Sequence, residues 1–136
     1  MLARIVTALF CLVFVASPLG AQSNHTAAQK RADEYEVRLG DVDRFAAAAP
    51  IDTRKPIDEF GAYLLAWAYF LTHISGCGFP ELPVDSGDHW TAPTRVGIGG
   101  QPGPHIIIQK AGGATHSPGK PTIANPKDFA KFAKNI

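Results

Sequence analysis

The sequence predicts an α+β fold: an antiparallel helix pair, a Gly/Pro-rich β region and a short closing helix. Three observations carry that prediction. Residues Phe60 to Leu71 form a run without a single charge. Residues 27–49 carry apolar side chains at helical spacing. Residues 78–126 then hold most of the chain's glycines and prolines, which excludes long helices there.

The N-terminus reads as an address. Arg4 is a basic n-region, Ile5 to Ala16 an apolar h-region, and Ser17-Pro18-Leu19-Gly20-Ala21 a run ending in small residues. This predicts a signal peptide over 1–21 and an exported protein, periplasmic or extracellular. The alternative is an uncleaved signal anchor that leaves the protein membrane-associated. Phe10 is too large to precede a lipid-modified Cys11. Cleavage leaves 22–136 as one small α+β domain of about 115 residues. It also removes Arg4 from the 13 basic residues, leaving 12 against 12 acidic ones. A net charge of zero excludes a strongly polyanion-seeking protein overall, and no nucleic-acid partner is expected. Asn24-His25-Thr26 fits a glycosylation acceptor, a pattern common by chance.

The first helix is expected over about 27–49. Tyr35, Leu39, Val42, Ala46 and Ala49 repeat at four and three, with Phe45 beside them, and charges crowd the other positions. Gly40 is a place for a break or bend, since glycine costs about 1 kcal/mol inside a helix. Pro50 ends the element, and 50–55 connects it to the second helix.

The second helix is expected over about 56–75. Pro56 suits a first turn, Asp58 and Glu59 complement the positive end of the helix dipole, and Gly76 suits a left-handed cap. The run is apolar nearly all round, and so belongs in a core or a membrane. It falls short of the roughly 20 apolar residues of a membrane span, which favours the core.

Within the loop-rich β region, 78–124, Arg95-Val96-Gly97-Ile98 alternates and His105 to Gln109 is apolar and β-branched. The loop 99–104 between them predicts an antiparallel hairpin. Thr91 and Thr122-Ile123 are weaker strand candidates. Asn125-Pro126-Lys127-Asp128 then starts a closing helix over 126–134, with a capping residue, a proline at the first position and an acid at the third.

Few residues could carry chemistry. Loss of Cys11 leaves Cys77 as the lone cysteine, with three readings: a buried core residue, a disulfide to another chain giving a dimer, or a nucleophile. A nucleophile needs a base, and His105 at the start of a strand, oriented by Asp88, is the best placed. Against this, Cys77 follows a helix C-terminus, where the dipole disfavours a thiolate. A weak metal alternative uses His73, Cys77 and His89, but no CxxC, HExxH or calcium-loop signature supports it, and no metal or cofactor is expected. Gly97 to Gly103 nearly spells a dinucleotide fingerprint, but Pro102 takes a glycine's place and no helix follows. Near Gly113, Pro121 stands where a phosphate loop needs Ser or Thr.

The absence of any strong catalytic spacing favours a non-catalytic binding or interaction module over an enzyme. Its contacts are expected at Trp90, His89 and Gln101, in loops suited to a protein or cell-envelope ligand. The alternative is a Cys77/His105 hydrolase or transferase acting outside the cytoplasm. From Gln101 onward five lysines face only Asp128, so a membrane-surface contact through the C-terminal lysines is a further expectation.

Overall fold

The computed structural model describes residues 19–74 and 76–132, with side chains from Ala27 to Lys131 apart from Ser75. Most of the expected signal segment lies outside the described residues, as do residues 133 and 134 of the closing helix. Among the described residues the fold is mixed α+β, with four α-helices and two antiparallel sheets.

The expected 27–49 helix divides at Gly40. Helix α1 spans Leu19–Leu39, and α2 spans Arg44–Ala48. Gly40 N–H donates to the Glu36 carbonyl and Val42 N–H to that of Leu39, winding α1 down. Asp43 then caps α2: its carboxylate accepts from Phe45 and Ala46 N–H at 3.0 and 3.3 Å. The second axis resets the helical phase. Leu39 and Ala48 are buried, whereas Val42, expected on the same stripe, is 44% exposed.

Helix α3 spans Glu59–Tyr69 and continues as one π-helical turn, Phe70–Ile74. It starts later than Pro56 suggests, because Asp58 is the cap, accepting from Gly61 N–H at 2.7 Å. Ile57 is held outside the helix by Trp90 in β3 and by the turn after β6: its N–H donates to the Lys110 carbonyl at 2.9 Å, and its carbonyl accepts from Trp90 Nε1 at 2.8 Å. Gly76 has the left-handed φ of +102° expected of a cap after the helix.

Alanines, Leu64, Leu65 and Tyr69 make α3 the centre of the core, with Ile106, Ile108, Ile123 and Phe129 packed in the same cluster. This is the buried core helix that its composition predicts. No helix among the described residues is long and apolar enough to cross a membrane.

The first sheet runs β1(Gly78–Pro80)–β4(Thr94–Val96)–β5(Gln101–Pro102), and the second β2(Val84–Asp85)–β3(His89–Ala92)–β6(Ile106–Gln109)–β7(Thr115–His116). The expected hairpin of 95–98 with 105–109 does not form. Strand β4 pairs with β1 and β5, while β6 pairs with β3 and β7. The loop proposed to join them folds back on itself: Gly100 N–H closes a turn on the Gly97 carbonyl, and Gln101 pairs with Val96. Pro93 separates β3 from β4 where the chain passes between sheets, and having no N–H it loses no ladder bond there. Gly78 is obligatory. At φ +142°, a Cβ would lie 2.0 Å from the Arg95 carbonyl oxygen of the paired strand.

Thr91 does belong to a strand, and Ile123 bridges Thr115. At the C-terminus Asn125 caps a 3-10 turn, Pro126–Asp128, leading into α4, Phe129–Phe132. Phe129 docks fully buried.

Candidate functional site

Cys77 is exposed and free, which sets aside its reading as a buried core residue. It lies between the π turn and β1, and its carbonyl accepts from Gly97 N–H. His105 is exposed at the head of β6 in the other sheet, and its carbonyl accepts from Ser117 Oγ at 2.7 Å. No hydrogen bond or ion pair joins Cys77 to His105 among the described residues. Asp88 bonds its chain neighbour instead, with His89 Nδ1 2.5 Å from its carboxylate. That contact holds the Asp88 carboxyl below its usual range.

The weak metal set fares no better. Among the described residues no three His, Cys, Asp or Glu side chains gather as a ligand group. His73 stacks on Tyr69 at 4.6 Å, with Nδ1 2.7 Å from Thr72 Oγ1. Burial, helped by the charge of Lys120, pushes its imidazole pKa down.

Trp90 is half-buried in β3 and clamps the entry to α3 through Ile57. Lys110 covers its ring at 4.7 Å and also bonds Asp85 at 2.6 Å, which lowers that carboxyl's pKa. One of the C-terminal lysines is thereby engaged within the fold. His89 shares β3 with Trp90, whereas Gln101 lies exposed in β5 of the other sheet.

A concavity lies elsewhere, between the end of α1, α2, the 50–58 connection and the first turn of α3. It is a cleft of about 410 Å³. Its walls include Leu39, Ala47, Ile51, Ile57, Phe60 and Leu64, and Arg38, Asp52, Lys55 and Asp58 bring charge to it. The Arg38 guanidinium carbon sits 3.5 Å from the Phe60 ring centroid. Asp52 accepts from Arg54 N–H, Nε and Nη2 at 3.1, 2.8 and 3.2 Å, which holds its carboxyl low. A shallower depression shares Pro50, Ile51 and Asp52 and adds Arg54 and Lys127.

Sequence reasoning missed this cleft because it treats 50–55 as a plain connection. The available signal was Ile51 and Ile57, two large apolar residues in a segment otherwise polar or proline. No family model, curated protein or solved structure matches the chain.

Proposed function

We propose that this protein is a small, exported, non-catalytic binding module whose ligand enters the α1–α2–α3 cleft. The observation that carries this reading is the cleft itself. Its volume falls within the range of small-molecule sites, and it has the apolar walls and few polar groups typical of them. Export rests on the signal-like sequence of residues 1–21.

The test is titration with N-phenyl-1-naphthylamine, a neutral apolar probe that brightens when shielded from water. The expected result is saturable one-to-one binding, lost in Ala47→Phe, where a ring fills the cleft from α2. Unsaturable fluorescence, or equal binding by the folded variant, contradicts the reading.

The exposure of Cys77 favours a second reading, in which two copies pair through a disulfide after export. Mass measurement with and without reductant tests it: a reducible dimer supports pairing, and a monomer in both conditions opposes it. The Cys77/His105 hydrolase is the weaker alternative, because no base contacts the thiol among the described residues.

A further inference from the structure

We infer that the ligand of the cleft is an anionic amphiphile, an apolar chain ending in a negatively charged head group. The inference rests on the binding reading above and follows from a charge inventory. The two carboxylates of the cleft are committed within the protein. Asp52 is engaged by Arg54, and Asp58 caps α3 through Gly61 N–H. Neither cation, Arg38 nor Lys55, forms a close ion pair among the described residues, although the charge of Lys55 also acts on Asp52.

Arg38 stacks over Phe60. A stacked guanidinium is occupied on its face but keeps its planar fork of N–H donors, the geometry that grips an oxyanion. The adjoining depression adds Lys127, while Arg54 is already paired with Asp52, so with that pair set aside the two concavities keep three cations, Arg38, Lys55 and Lys127, against Asp58, which caps α3. The interior is of the opposite character. Its accessible walls, Val42, Ala47, Ile51 and Phe60, offer no side-chain polar atom to pair with. A polar ligand body would be stripped of water there without compensation, whereas an alkyl chain gains by burial. An apolar tail with an anionic head satisfies both halves of the site.

The experiment is competition against bound N-phenyl-1-naphthylamine by decanoate, decanol and decylammonium, each below its aggregation concentration. Decanoate is expected to displace the probe at a concentration about tenfold below decanol, with decylammonium weakest. Added salt should narrow that gap. Arg38→Gln with Lys55→Gln should bring decanoate and decanol level, each read against that variant's own probe affinity, and Lys55→Gln alone, at an exposed position, should narrow the gap without touching the Phe60 stack. Decanol or decylammonium equalling decanoate overturns the inference and leaves the binding reading standing. Failure of the neutral probe itself to bind removes both.

Discussion

Helix α3 has two sides, held in different ways. Towards the sheets its contacts are mostly apolar. Leu65 is fully buried against the turn at Gly113, and Tyr69, also fully buried, extends its hydroxyl to the Pro121 carbonyl at 2.6 Å. Towards α1 and α2 it presents a ladder of rings, Phe60, Tyr63 and Trp67, held by polar side chains. Tyr63 donates to Glu36 at 2.5 Å, and Tyr35 donates back to Glu59 at 2.7 Å. Arg38 and Arg44 lie over Phe60 and Trp67. Buried Arg44 Nε has no hydrogen-bond partner among the described residues, and its guanidinium lies over the Trp67 ring at 4.4 Å instead. The comparison shows which side gives stability and which gives access. An apolar interface gains from every atom buried, whereas long polar side chains lose conformational freedom to make each bond. The cleft opens on the polar side.

The largest way to break this asymmetry is Leu65→Ala. It should cost about 2–5 kcal/mol, because the rigid surroundings leave a cavity, and chemical denaturation would show it. A loss no larger than that of a clasp variant would erase the distinction between the two sides.

Removing one clasp is the next step. Tyr63→Phe should cost about 1.5–3 kcal/mol, the scale of a hydrogen bond to a charged acceptor. It also sharpens the pH dependence. Burial, then the bond to Glu59, pushes Tyr35 up to about 12, and burial with the bond to Glu36 raises Tyr63 as well. A phenol raised on folding holds its proton longer in the native state than in the unfolded chain. Its stabilisation is therefore complete below pH about 10 and is lost as pH rises through the folded value. Denaturation midpoints should fall across that alkaline window, less steeply in Tyr35→Phe and Tyr63→Phe. An unchanged slope in both variants would separate the phenols from the effect.

The smallest effect is expected at Asp43→Ala, about 1 kcal/mol for a lost cap. Amide exchange should report it first in α2, which forms one wall of the cleft, before any change in the sheets. Uniform acceleration would mean that α2 and the sheets open as one unit.

The legible parts of this fold were those written in local chemistry. The uncharged run from Phe60 to Leu71 could only be a core or membrane helix, and Asn125-Pro126 caps its turn as composition dictates. The break at Gly40 is visible in the sequence, but Asp43 is one of many charges around it, although a carboxylate just after a break is also a cap. The strand pairing was hidden for another reason. Partners such as Trp90 and Ile108, or Phe79 and Arg95, are distant in sequence, and the 97–102 segment carries enough glycine to turn back on β4 rather than bridge to β6. The chemistry-bearing residues misled because type and spacing do not report contact: Asp88 found His89, and Trp90 found the Ile57 carbonyl. The cleft depends on where the 50–58 segment passes between α2 and α3, a tertiary fact with no motif.

The central claim is that binding happens on the polar side of α3, and amide chemical-shift mapping with decanoate tests it most directly. The account predicts saturable shifts confined to Leu39, Ala47, Ile51, Ile57 and Gly61, with the sheet amides still. Shifts centred on β3 and β5, around Trp90 and Gln101, or none that saturate, would contradict it.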